Sequence, residues 1–246
     1  MIERLTRNPL LLALAFVAAA LAGAAVYAAT RPAAGGADRG AIEAVVRDYV
    51  LANPEIIPEA MERLRAKETG KVVAENRQAI VEPFGSAWKG AADPQVTVVA
   101  YMDYACGFCR QSLPMLDQLM ATDPGVRVVF RELPILSAES RTAAEWSLAA
   151  ARQGKFAAFH DALYASGRLT PQAIEAAIAR AGIDRSAGAA FTRSQAATEE
   201  LSRNLSIAGK LGMTGTPAWV VGDRVLSGAV PLAAMQASVR AAREAS

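Results

Sequence analysis

The spacing of apolar positions changes several times along the chain, and each change marks a boundary. From Asn8 to Thr30 no charged residue occurs, and this 23-residue stretch includes the run Leu10-Leu-Leu-Ala-Leu-Ala-Phe-Val17. That is long enough to span a bilayer as a helix. Ile42, Val45, Val46, Tyr49 and Val50 then recur at i, i+3, i+4, i+7 and i+8, which draws one apolar stripe along a helix. Asn53-Pro54-Glu55 breaks and restarts it: Asn53 suits a cap, Pro54 the first helical position, and Glu55 the positive end of the new helix. Ile57, Met61 and Leu64 continue an apolar face. Polar residues dominate from Glu62 to Gln78, with Val72, Val73, Ile80 and Val81 interleaved.

Phe84 to Pro94 reads as a loop, since Gly85-Ser86, Lys89-Gly90 and Asp93-Pro94 are turn signals and Trp88 is a packing residue between them. The β-branched run Val96–Met102 predicts a buried strand, and a helix follows from Cys106 to about Met120, with Pro114 expected to kink or divide it. Asp123-Pro124-Gly125 turns the chain into a second strand, Val126–Arg131. From Ala138 to about Gly212 the pattern is helical: Ser140 to Gln153, Lys155 to Ser166, a helix opened by Thr170-Pro171 and ended near Gly182, and one longer stretch from Asp184 to Gly212. Ala218–Val221, the turn Gly222-Asp223 and Arg224–Ser227 make a hairpin, and Pro231 to Glu244 a terminal helix. Strand, helix, strand, helical insert, hairpin and helix suit an α/β fold with a small mixed sheet and helices on its faces.

The chemistry of the chain is concentrated in Cys106-Gly107-Phe108-Cys109, which holds the only two cysteines. Spacing i, i+3 at the first turn of a helix puts both sulfurs on one face, close enough to bridge. A disulfide closing so small a loop removes little unfolded-state entropy, so its value is chemical rather than structural. The helix N-terminus favours a thiolate on Cys106, which would be the nucleophile of thiol–disulfide exchange, with Cys109 resolving the mixed disulfide. Three other uses of the pair compete. Half a zinc site is one, although zinc takes about four N/S ligands and His160 is the single histidine. Two-coordinate Cu(I), in a non-catalytic copper-binding or copper-tolerance protein, is the second. A pair of inert core thiols is the third.

Composition adds an address. Arg4 and Arg7 precede the uncharged stretch, which places the N-terminus inside and the rest outside. Val26-Tyr27-Ala28 resembles a small-residue cleavage site, so residues 1–30 form either a signal peptide or a membrane anchor over residues 8–30. The protein is then periplasmic or otherwise extracytoplasmic, where a disulfide persists. Residues 31–39 are a flexible linker by composition. Residues 40–82 form an N-terminal helical segment whose stripe must bury somewhere, on its own domain or against the same segment of another chain as a homo-oligomer. A formal net charge of +2 gives no sign of a nucleic-acid partner.

Taken together, Asp103-Tyr104-x-Cys106-x-x-Cys109, Leu133-Pro134-Ile135-Leu136, the helical block and Gly215-Thr216-Pro217 resemble the DsbA-like thioredoxin-fold thiol:disulfide oxidoreductases over about residues 94–246. Asn53-Pro54-Glu55-Ile56-Ile57 is similar to the ScsC-like branch (suppressor of copper sensitivity), whose N-terminal helices can form an oligomerising stalk. The resemblance implies a thioredoxin fold with a helical subdomain, about residues 138–212, inserted between the second strand and a cis-proline hairpin. It makes Pro217 the cis-proline, with Thr216, Gly107 and Phe108 beside it facing substrate. It implies a protein disulfide oxidase or isomerase acting on exported cysteine-containing proteins and reset by a membrane redox partner. No organic cofactor is implied, because the dithiol–disulfide pair carries the electrons. Two departures stand out: the buried glutamate that the family commonly places six residues before the first cysteine is here Ala100, and Gly107-Phe108 lacks the histidine of strong oxidants. Asp103 is expected to cap or orient the redox helix, and His160 to pack within the helical insert.

Overall fold

The computed structural model describes residues 9–30 and 39–245. The basic flank with Arg4 and Arg7, and all of the expected linker but Arg39, lie outside the described residues. The chain divides into two units, Met1–Ala60 and Met61–Ser246.

In the first unit, α1 (Pro9–Thr30) is uncharged, and its segment Leu12–Thr30 is long and apolar enough to cross a membrane. Helix α2 (Arg39–Ala52) carries the predicted stripe, yet none of its residues is buried: Ile42, Val45, Val46 and Tyr49 are all more than half exposed. Asn53 does not cap the next helix as expected. Its backbone N–H and its side-chain amide both donate to the Tyr49 carbonyl at 2.9 Å, which closes α2 instead. Helix α3 (Ile56–Glu75) therefore starts later, after a Pro54-Glu55 turn.

The second unit is built on a five-stranded sheet of order β1-β3-β2-β4-β5, comprising β1 (Trp88–Gly90), β2 (Val96–Met102), β3 (Val126–Glu132), β4 (Ala218–Val221) and β5 (Arg224–Ser227). Strands β2 and β3 are parallel, in register from Val96 opposite Val126 to Met102 opposite Glu132, and the other pairs are antiparallel. Strand β1 corrects the loop expected over 84–94. Its three residues are too few to show a period-2 pattern, and it is held by pairing with β3 and by the Arg127 guanidinium, 4.7 Å above the Trp88 ring. Gly90 ends it at φ 92°, where an added Cβ would lie 2.5 Å from the Val126 carbonyl oxygen, a place only glycine can fill.

Alternation along the central strands sends side chains to two cores. Val98, Ala100, Met102, Val128 and Phe130 join the core beneath α5 (Gly107–Thr122) and α11 (Leu232–Glu244), with Leu116, Leu119, Met235 and Val239. Val99, Tyr101 and Val129 face the opposite side, where Val73 of α3 and Ile80 of α4 (Arg77–Val81) are buried with Ile207 and Leu211. Helix α5 is neither divided nor ended by Pro114, contrary to one of the two outcomes expected. Pro114 is exposed, so water can take the carbonyl that its ring leaves without a helical partner.

The helical insert consists of α6 (Ala138–Arg152), α7 (Phe156–Ala165), α8 (Pro171–Arg180), α9 (Arg185–Thr192) and α10 (Gln195–Lys210). The single stretch expected over 184–212 is thus two helices. Asp184 caps the first, and the Ser194 side chain accepts the Ala197 N–H to start the second. Gly188 lets α9 lie against Trp146 of α6, since an added Cβ would sit 2.5 Å from the indole ring. Gly188→Ala is expected to destabilise the domain by about 1–3 kcal/mol, the usual range for overpacking, as a lowered urea midpoint with an unchanged slope.

Candidate redox site

The site forms where β2 ends and α5 begins. Asp103, 1% exposed, is the last anchor before the cysteines. Its Oδ1 accepts the Ala105 N–H at 2.8 Å, and its Oδ2 accepts the N–H groups of Ile135 at 2.9 Å and Leu136 at 3.0 Å. Its backbone carbonyl accepts the Cys106 N–H at 3.0 Å and the Tyr164 hydroxyl at 3.1 Å. Asp103 thus orients the turn and joins it to the Leu133–Leu136 loop. It does not cap α5. The cap is Cys106 itself, whose Sγ accepts the Cys109 N–H at 3.3 Å, so the sulfur occupies the end of the helix where free N–H groups converge.

From the far side of the fold, the loop before β4 reaches the same sulfur. The Thr216–Pro217 bond is cis, and Cys106 Sγ donates to the Thr216 carbonyl at 3.2 Å. Both cysteines are free thiols; Cys106 is 5% exposed and Cys109 fully buried. Phe108 is 62% exposed, and a Cβ on Gly107 would meet nothing within 4 Å, so the middle of the motif faces open space. Ile135 and Leu136 are exposed as well. The Thr216 hydroxyl is buried and has no hydrogen-bond partner among the described residues. The structure therefore brings Cys106, Cys109, Thr216 and Pro217 together at one point, with Gly107 and Phe108 at its rim.

Burial raises the Cys109 thiol well above its ordinary range, tempered by the Asp103 backbone. Behind it lies a buried polar group, Glu132 with Ser147, Tyr104 and His160. The Glu132 carboxylate accepts the Ser147 hydroxyl at 2.6 Å, Ser147 lies 3.0 Å from the Tyr104 hydroxyl, and Tyr104 lies 3.2 Å from His160 Nδ1. Burial pushes Glu132 up to about 8, while Ser147 acts in the other direction. His160 is 1% exposed, packed 4.5 Å from the Phe130 ring, and held neutral by burial. The signal for Glu132 is present in the sequence: Arg131 and Glu132 are consecutive charges closing a largely apolar strand whose one other charge is Arg127. Among the described residues no three His, Cys, Asp or Glu side chains converge as a metal cluster. The two thiols are the soft ligand pair the site offers.

Known proteins resemble this chain in two regions. Residues 97–240 match the family model of the DSBA-like thioredoxin domain, and residues 38–69 that of the copper resistance protein ScsC N-terminal domain. A thioredoxin-like oxidoreductase from Silicibacter pomeroyi is 34% identical, with a TM-score of 0.66 over 70% of this chain and 99% of that one. A linker-deleted ScsC variant from Proteus mirabilis is 27% identical, with a TM-score of 0.68 over 88% of this chain and 100% of that one. A Na(+)/H(+) antiporter, NhaA 3 of Salinispora tropica, is 29% identical over 165 residues, 66% of this chain. The chain spans about a quarter of the length of that curated relative, 25%.

Proposed function

The chain belongs to the DSBA-like thioredoxin domain family, and we propose that it is a thiol–disulfide oxidoreductase whose Cys106-Gly107-Phe108-Cys109 forms or isomerises disulfides in exported proteins. The observation that carries this is the position of Cys106 Sγ, 3.3 Å from the Cys109 N–H and 3.2 Å from the Thr216 carbonyl. A client thiolate attacks Cys106 Sγ of the oxidised pair, the Cys106–Cys109 bond breaks, and Cys109 leaves with the electron pair and takes up a proton. A second client thiolate then attacks the client sulfur of the mixed disulfide, and Cys106 leaves as the reduced product. Run from the reduced pair, the Cys106 thiolate attacks a wrong client disulfide and Cys109 releases it. Thr216 and Pro217 position the client backbone, and Gly107 and Phe108 leave room for it.

The same reading places the domain outside the cytoplasm, delivered or tethered by residues 8–30, and reset there by a membrane redox partner. An apolar helix with no charge over Pro9–Thr30 supports that placement. The exposed stripe of α2, with the match over residues 38–69, supports self-association through residues 40–82. Paired active sites favour isomerisation. Residues 31–246 equilibrated with glutathione are expected to give a reduction potential of about −120 to −180 mV, and about −270 mV would mean a reductant instead. Light scattering on the same protein is expected to give an oligomer's mass; a monomer rejects the stalk and favours simple oxidation.

A further inference from the structure

At one edge of the sheet, β5 pairs with β4 alone. The two-residue turn Gly222-Asp223 makes Val221 and Arg224 the first hydrogen-bonded pair and Trp219 with Leu226 the next. Gly228 continues that alternation, its N–H donating to the Pro217 carbonyl at 2.8 Å. The N–H and C=O groups of Val225 and Ser227 therefore point away from β4, and among the described residues nothing bonds to them. Val225 and Ser227 also line a cleft of about 960 Å³, whose other walls are α3 and the end of α10, all within the second unit. Its charge is one-sided. Arg63 and Arg65 of α3, Lys210 of α10 and Arg224 of β5 line it together with a single acid, Glu68. Arg65, Lys210 and Arg224 are exposed and form no ion pair among the described residues.

We infer that this cleft docks an extended acidic segment of an exported client, which adds to β5 as a further strand. The inference rests on the exchange reaction proposed above and names the class of protein that enters it. The main chain of the segment pairs with the free groups of Val225 and Ser227, and its carboxylates meet Arg65, Lys210 and Arg224. Charge and backbone together select this occupant. A second copy of β5 would set Arg224 against Arg224, and like charges across a strand pair repel. An anionic membrane attracts basic side chains without strand pairing, which leaves the open N–H and C=O groups of β5 with no part to play. The chain's own linker, residues 31–39, holds one acid, Asp38, between Arg31 and Arg39.

The place of the cleft serves the reaction. β5 ends at Ser227, the next residue is bonded to Pro217, and the Thr216 carbonyl before it lies 3.2 Å from Cys106 Sγ. A strand added outside β5 stands two strand spacings from β4, about 10 Å. At about 3.3 Å per residue, a client cysteine about three to five residues beyond the docked segment reaches the cis-proline. Docking raises the effective concentration of that cysteine at Cys106 and leaves the sulfur chemistry unchanged.

The test uses the full-length protein in dodecylmaltoside and a labelled, cysteine-free peptide of alternating Glu and Thr, followed by fluorescence anisotropy. Saturable binding is expected. Combining Arg65→Glu, Lys210→Glu and Arg224→Glu should weaken it at least about tenfold, the scale of several exposed ion pairs lost and reversed together. Methylating every second peptide nitrogen should weaken binding in one phase of the alternation and not in the other, because only alternate N–H groups face β5. No binding, or binding that charge reversal leaves unchanged, overturns the proposal. Equal effects of the two methylation phases overturn it as well, since they would mean attraction by charge without strand pairing. Dioctanoyl phosphatidylglycerol binding in place of the peptide, and lost on charge reversal, would assign the cleft to lipid headgroups and overturn it too. The same peptide ending in a glutathionylated cysteine separates docking from exchange. Below saturation, the reduced wild type should release its glutathione faster than the reversed variant by the ratio of their affinities, while hydroxyethyl disulfide reacts equally with both. A wild type that binds the peptide but leaves both disulfides intact fails the exchange reaction and upholds the docking surface.

Discussion

Cys106→Ser is expected to reduce thiol–disulfide exchange to the uncatalysed background, a loss of at least about 10⁴-fold. A serine hydroxyl at the α5 cap can accept the Cys109 N–H much as sulfur does, so the fold survives, but it cannot form or cleave an S–S bond. Cys109→Ser should behave differently. Cys106 still attacks, no resolving sulfur follows, and covalent adducts between Cys106 and client proteins accumulate. Because Cys109 is fully buried, a hydroxyl there costs about 1–2 kcal/mol, well short of unfolding a domain of this size. Non-reducing mass spectrometry of the two variants after exposure to a disulfide-bonded client reads both outcomes. Exchange retained in Cys106→Ser, or no adduct with Cys109→Ser, contradicts the assigned roles.

The largest effect on stability is expected far from the sulfurs, at Glu200→Ala. Arg131 and Glu200 are each 3% exposed and meet at 2.6 Å. The Arg131 guanidinium also donates to the Ile80 and Glu82 carbonyls, and so binds the end of α4 to the sheet. Removing the carboxylate leaves a buried cation with two carbonyls and no countercharge, which costs about 3–5 kcal/mol. Replacing both members by apolar residues of similar size should recover most of that, because two desolvation costs disappear together. Urea unfolding at pH 7 measures each. A loss below about 1 kcal/mol for Glu200→Ala would mean that water reaches Arg131 and the pair is not sealed.

Where side chains repeat, the chain announces its fold. The apolar run of β2, the Gly222-Asp223 turn and the Thr170-Pro171 start of α8 were each legible because a local preference and the final contacts agree. Cys106-x-x-Cys109 and Thr216-Pro217 were legible as well, although nothing local says that residues 110 positions apart meet at one sulfur. The misses come from competition. Asn53 could cap the helix on either side, and the carbonyl of Tyr49 won. Ser194 offered a cap within a continuous helical pattern, and tertiary packing used it to divide the stretch. β1 is too short to carry a period, and only pairing with β3 makes it a strand. Glu132 follows a strand expected to end at Arg131, and only the pairing with Met102 makes it that strand's last residue.

Asp103 distributes one carboxylate over backbone N–H groups from two loops, and its own carbonyl over the cysteine turn and α7. Those segments cannot loosen independently, since a fluctuation that frees one strips partners from the next. The exposed apolar side chains Ile135 and Leu136 consequently ride on a backbone already fixed to the one that carries Cys106. A client meeting this surface would have little of it left to order, so the entropy of arranging the loops is lost at folding and not again at each encounter. A single buried carboxylate thereby makes two irregular loops behave as one rigid body.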